Sequence, residues 1–148
     1  MTPEQRLQQL AIELPAPPSE MGAYAASRQA GALLFLSGVL PLVDGKAPFI
    51  GRLAKEQARE AARRAALNAL ALVKQRIGSL AHVKGVVRVA AYIASEVDCT
   101  EHAFVADGCS ELLNQVFPAS GKHARLVLGV PSLPMGMPVA LELIFELD

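Results

Sequence analysis

Between Lys55 and Ile77, residues Ala58, Ala62, Ala65, Ala69, Val73 and Ile77 recur at spacings of three and four. That is the stripe of one helix face. The stripe is mostly alanine, so the helix can lie close against a sheet. Gly78 stands where a helix C-cap is needed. Glu60 and Arg64, four apart, form an exposed pair worth about 0.3–0.5 kcal/mol. Glu56 and Glu60 interrupt Arg59, Arg63 and Arg64, which reads as a solvated face rather than a phosphate site.

The rest of the chain supplies the sheet. Tyr24 to Arg28 reads as a short strand and Gln29-Ala30-Gly31 as a turn. Leu33 to Ser37 is apolar on both faces, like a central strand covered on both sides. It runs into Ser37-Gly38-Val39-Leu40-Pro41, where glycine permits a bulge or a close approach, and Asp44-Gly45 signals a tight turn. From Val86 to Ala94 the residues alternate, with Val87, Val89, Ala91 and Ile93 on one face and Arg88 and Tyr92 on the other. Asp98 followed by Glu101 resembles a capping box for a second helix. Phe104, Gly108, Leu112 and Val116 give that helix its stripe, and it ends near Pro118. Ala124–Val130 and Val139–Leu147 are the closing strands, joined by a loop through Leu133-Pro134-Met135-Gly136.

Ahead of this, Thr2-Pro3-Glu4-Gln5 reads as a helix start. Leu7, Leu10 and Ala11 give the short helix one apolar side before Pro15-Ala16-Pro17-Pro18 turns extended. Residues 1–20 are thus an N-terminal helical arm and Pro-rich connector, and residues 1–148 one domain. A chain of 148 residues buries roughly 70% of its unfolded surface. Two helices cover one sheet face only, yet Leu126, Leu128 and Val130 are apolar opposite Val127. Self-association is the simplest cover for the bare face.

With 14 basic and 14 acidic residues the net charge is zero, which lacks the footprint of a nucleic-acid binder. The longest apolar run, 30–36, is far short of the ~20 residues a membrane span requires. Acids and glutamines near the N-terminus do not make a signal peptide, so the expected location is the cytoplasm. Cys99 and Cys109 form no metal-ligand pattern. They are expected on one helix, too far apart to bridge, which suits a reducing compartment.

Arg125 is the only lysine or arginine from His123 to Asp148. A guanidinium there can grip a carboxylate with two parallel hydrogen bonds. It could equally pair structurally across a subunit interface. His123 stands beside it in an expected loop.

Three phrases now point to a family. LFLSGVLPL at 34–42, GKHARLVLGVPSLP at 121–134 and VALELIFEL at 139–147 resemble the RidA family, also called YjgF or endoribonuclease L-PSP, and the arm resembles its longer-chain branch. The resemblance implies an α+β, chorismate-mutase-like fold: a mixed six-stranded sheet with two helices packed on one face, assembled as a homotrimer with ligand clefts between subunits. It implies cofactor-free, metal-free hydrolysis of reactive enamine or imine intermediates such as 2-aminoacrylate to a 2-keto acid and ammonia. Some members are instead described as ribonucleases or translation inhibitors. Arg125 matches the carboxylate-binding arginine, Ser37 and Gly38 the loop serine and glycine, and Tyr24 the N-terminal tyrosine. Asp107 falls near a position that is often asparagine. Two positions depart from the pattern. Leu126 replaces a frequent serine, and Ala140 replaces the glutamate that positions the attacking water. Glu142 remains, on the same strand face about 7 Å along, as the candidate second catalytic group or as a structural ion-pair partner.

Two readings follow. One is an imino-acid deaminase with Arg125 as clamp and Glu142 as its partner. The other is a trimer that binds a small carboxylate without turning it over, since a positioned base is typically worth ~10²–10⁴-fold in rate. A ribonuclease is disfavoured by zero net charge, and no membrane partner is expected.

Overall fold

A computed structural model describes residues 1–148. Its elements are α1 (Pro3–Gln9), β1 (Ser27–Ala30), β2 (Leu33–Leu36), α2 (Lys55–Ile77), β3 (Val83–Ala94), α3 (His102–Val116), β4 (Ala124–Val130) and β5 (Val139–Leu147). The sheet is mixed, in the order β1-β2-β5-β3-β4. Only β3 and β4 run parallel, joined by α3. It is the α+β, chorismate-mutase-like architecture with α2 and α3 on one face. No helix is long and apolar enough to cross a membrane.

There are five strands, not six. Between β2 and α2 the chain makes only isolated bridges, Val39 to Leu141 and Val43 to Lys46. Pro41 has no N–H to give a ladder, and Asp44 and Gly45 both take positive φ, which turns the chain back. The first strand also lies further along than expected. The turn falls on Gly31, at φ +60°, so Gln29 and Ala30 pair with Leu34 and Leu33.

The alanine stripe packs as the sequence implies. Ala58, Ala62, Ala65, Ala69 and Val73 are buried, and Ile77 is half-buried at the helix end. Burial extends further round the helix to Leu67, Asn68, Ala71 and Leu72. Asn68 donates to the carbonyls of both Leu40 and Leu42 at 2.9 Å, and Arg64 donates to Leu42 at 3.1 Å. Arg64 therefore holds the loop after β2 rather than pairing with Glu60. Where α2 crosses α3, any side chain at Gly108 would run into the Arg59 backbone oxygen.

Below the helices lie Leu141, Leu143 and Phe145 of β5 and Val89 and Ala91 of β3, all fully buried or nearly so. Each large side chain there contributes about 1.5–3 kcal/mol by burial. The β3 register shifts between Val86 and Arg88. Val86 is thereby core and Val87 exposed, so Val87 does not share the face of Val89; a bulge displaces alternation by one residue.

The start of α3 departs from the capping-box expectation. Glu101 is the cap residue and makes no side-chain cap bond. The Cys99 N–H is already bound to the Glu96 carbonyl at 3.1 Å, so Asp98 sits in a turn ahead of the helix. Only Cys109 is helical, and the two thiols are free.

The arm is bound through specific groups. Thr2 and Gln5 form a reciprocal capping box. The Glu4 carboxylate accepts from Ser79 Oγ at 2.9 Å and Leu80 N at 2.5 Å. Arg6 Nε donates to the Gln115 carbonyl at 2.8 Å, and Leu7 enters the core.

Candidate functional site

Arg125 is the second residue of β4, the strand at one edge of the sheet. It lies opposite Val89, so its side chain is on the helix face. Asp107 and Ser110, three apart on α3, present one helix face to it. Arg125 Nη1 donates to Asp107 Oδ1 at 2.6 Å and to Ser110 Oγ at 3.2 Å. Nε and Nη2, the edge that forms a side-on fork, make no hydrogen bond within the chain, and the side chain is 25% exposed.

The network continues through His123, just ahead of β4. Ser110 Oγ lies 2.9 Å from His123 Nε2, and His123 Nδ1 lies 2.6 Å from the Gly121 carbonyl. A carbonyl can only accept, so Nδ1 carries a proton. In neutral imidazole Nε2 is then the acceptor, and the Ser110 hydroxyl donates to it. The chain of donors runs from Arg125 to Ser110 to His123 to Gly121. A Cβ at Gly121 would lie 2.5 Å from the Leu113 carbonyl oxygen, so only glycine brings this carbonyl so close to the end of α3. Cys109, next to Ser110, is inert: burial pushes its thiol up to about 12, only partly offset by the Arg125 charge.

The other expected residues lie elsewhere in the chain. Tyr24, Ser37 and Gly38 line one small hollow with Leu40, Leu42 and Leu72. The Tyr24 hydroxyl accepts from Met21 N at 3.1 Å, and Ser37 Oγ donates to the Ala25 carbonyl at 2.6 Å. Beside Gly38 the space is open. Ser37 follows β2, while Arg125 is on β4, with β5 and β3 between. Three strand spacings separate them, about 14 Å. Glu142 pairs with Ala90, as Leu126 does, whereas Arg125 and Leu143 pair with Val89. Glu142 therefore points to the face away from the helices, opposite to Arg125. There it meets Arg88 Nη1 at 3.2 Å, with Ala140 two residues away. The structure gathers Arg125 with Asp107, and Tyr24 with Ser37 and Gly38, but joins neither group to Glu142 within one chain.

The sequence places His123 beside Arg125 but does not single out Ser110 or Asn68. Helical spacing from Asp107 to Ser110 was the available signal, but it says nothing of what faces that helix.

Residues 4–147 match the family model described as "YjgF/chorismate mutase-like, putative endoribonuclease". The chain belongs to that family. Protein TCP17 of Trypanosoma cruzi is 34% identical over 147 residues, covering 96% of this chain and 92% of its own. A crystal structure of a Shewanella oneidensis protein with the same endoribonuclease description superposes with a TM-score of 0.95 at 32% identity, covering 99% of this chain and 100% of that one. A protein from Agrobacterium tumefaciens gives 0.91 at 32% identity, over 99% and 92% of the two chains. Coverage of 99% takes in the N-terminal arm. Escherichia coli TdcF with bound serine shares the fold, with a TM-score of 0.68 at 19% identity over 92% and 96% of the chains.

Proposed function

We propose that this YjgF-family chain is a cofactor-free deaminase that hydrolyses reactive 2-imino acids to 2-keto acids and ammonia. The observation that carries the reading is Arg125. Asp107 and Ser110 immobilise Nη1 and leave the Nε–Nη2 edge for a substrate carboxylate. Charge-assisted hydrogen bonds of this kind contribute about 1.5–3 kcal/mol each, and they orient the neighbouring C=N carbon.

The reading includes a homotrimer. Phe35, Leu126 and Leu128 are 40–43% exposed on the uncovered sheet face, apolar surface that a neighbouring copy would bury. Ser37, which shares its hollow with Tyr24 and Gly38, lies about 14 Å from Arg125 across the sheet. A closed head-to-tail ring would bring the hollow of one copy to the Arg125 edge of the next. The clefts would then lie between subunits of a one-domain chain.

The test is to generate 2-aminoacrylate with a dehydratase and follow keto-acid release. Acceleration over buffer at micromolar protein, abolished by Arg125→Ala, is expected; no acceleration overturns the reading.

A second reading is favoured by Ala140 and by the engagement of Glu142 with Arg88. The protein would hold a small carboxylate in the same cleft without turnover. TdcF, which holds serine, has this fold. Pyruvate or 2-ketobutyrate would then raise the melting temperature in an Arg125-dependent way while no keto acid is released. Ribonuclease activity has only the family description in its favour, against a net charge of zero.

A further inference from the structure

Away from Arg125, α2 and the N-terminal connector enclose a cavity of about 330 Å³, a size that suits a small ligand. Arg64 and Asn68 line it on the α2 side, and the connector and the Asp44-Gly45 turn close it on the other. Residues 18–21 are its common wall with the Tyr24 hollow, but neither Ser37, Gly38 nor Arg125 reaches it. We infer that this cavity is a second binding site, for a small zwitterionic amino acid whose carboxylate meets Arg64 and whose ammonium meets Asn68 and Asp44. The site needs neither the Arg125 clamp nor turnover.

Two groups in the cavity are half used. Arg64 and Asn68, four apart on α2, share one helix face. Arg64 Nε and Asn68 Nδ2 donate to the same Leu42 carbonyl oxygen, at 3.1 and 2.9 Å, so the two head groups stand side by side. Asn68 Nδ2 also donates to the Leu40 carbonyl at 2.9 Å. Carbonyls only accept, which fixes the end of the amide that is nitrogen. Asn68 is 1% exposed, yet its Oδ1 takes no donor from the chain and opens on the cavity. Buried acceptors are ordinarily satisfied. Arg64 is half-buried, and its Nη1 and Nη2 make no hydrogen bond within the chain. It forms no ion pair, although Glu20 and Asp44 line the same cavity. Holding the loop after β2 uses Nε and Nδ2. It leaves the Nη1–Nη2 fork, which takes a carboxylate with two parallel bonds, and the Asn68 acceptor.

Charge selects the ligand class. One guanidinium stands against two carboxylates, so a phosphate or dicarboxylate would meet an excess of its own sign. A ligand with its own cation does not. An ammonium has three donors, enough for Asn68 Oδ1 and Asp44 together. An α-amino acid holds that ammonium beside its carboxylate, as Asn68 stands beside Arg64. Pro17, Pro18 and Met21 supply an apolar wall for a modest side chain.

The experiment is calorimetry on the full chain and on Arg125→Ala, with glycine, L-serine and L-valine as probes and acetate and methylamine as controls. At least one amino acid should bind both chains with a Kd of about 1 mM or below, and acetate and methylamine at least tenfold more weakly. Arg64→Gln should weaken that binding at least tenfold, while its amide can still donate to Leu42. Asp44→Asn should weaken it about threefold, as one screened charge does. Asparagine accepts the positive φ of Asp44, +52°, so this variant decides the matter if Arg64→Gln does not fold. Absence of amino-acid binding to Arg125→Ala overturns the second site. Binding unchanged in Asp44→Asn and Arg64→Gln overturns it too, and acetate binding as tightly as the amino acids overturns the zwitterion assignment. Keto-acid release from 2-aminoacrylate is scored separately, so the proposed hydrolysis stands or falls by its own assay.

Discussion

The chain holds two arginine–carboxylate pairs on its sheet, and they differ in almost everything but composition. Arg88–Glu142 joins neighbouring strands on the uncovered face, at 3.2 Å, with side chains 37% and 48% exposed. Arg125–Asp107 joins a strand to a helix on the covered face, at 2.6 Å, with side chains 25% and 42% exposed. The first pair makes no hydrogen bond beyond itself. The second is one link in a run of donors reaching the Gly121 backbone. An exposed pair in isolation contributes about 0–1 kcal/mol. A partly buried guanidinium fixed at one nitrogen has lost its rotamer freedom in advance, so a ligand meets less of that cost. The difference is one of preorganisation more than of charge.

Five substitutions sharpen or break this contrast. The largest expected effect is at the uncovered face. Leu128→Asp places a charge where the proposed trimer buries a leucine, at a cost of several kcal/mol per subunit. Light scattering should report monomers, and pyruvate binding should vanish with the ring. A variant that remains trimeric and still binds removes that face from the interface.

Next is Arg125→Ala. Two charge-assisted hydrogen bonds to a ligand carboxylate are lost, so pyruvate Kd should rise by ~10²-fold or more in calorimetry. Arg88→Ala, the matched change in the other pair, should leave Kd within threefold. Equal effects from the two would erase the distinction drawn here.

Asp107→Asn is subtler. The amide oxygen keeps a bond to Nη1, but its negative charge no longer opposes an incoming carboxylate. Pyruvate should bind about threefold tighter, consistent with one screened charge at several ångströms. Weaker binding would mean that the Asp107 charge, and not merely its hydrogen bond, holds Arg125 in its productive pose.

The smallest effect belongs to Glu142→Gln, with unfolding stability expected to fall by less than about 1 kcal/mol in urea and kcat to stay within twofold. A hundredfold loss of kcat there would give Glu142 a part in the hydrolysis, reached across a subunit boundary.

The α+β class, the two long helices and the C-terminal strands were legible because each rests on local periodicity. The alanine stripe of α2 and the alternation of Val139 to Leu147 are written in consecutive residues. The misplaced details share one cause. Val87, Asp98 and Glu60–Arg64 were read from spacing alone, whereas a bulge, a turn bond to Glu96 and the Leu42 carbonyl decided them. The expected sixth strand gives way to isolated bridges for the same kind of reason, a missing Pro41 donor and a reversal at Asp44-Gly45.

By itself the sequence determined that Arg125 stands alone near the C-terminus, that position 140 is alanine, and that two helices must share a sheet with one face uncovered. Those are properties of residue identity and period. Only the tertiary structure decided what Arg125 meets. Asp107 and Ser110 reach it because α3 crosses over between two parallel strands, and Glu142 does not because alternate residues of a strand point to opposite faces. Which donors and acceptors come within hydrogen-bond distance depends on how elements distant in sequence pack, and no local pattern encodes that.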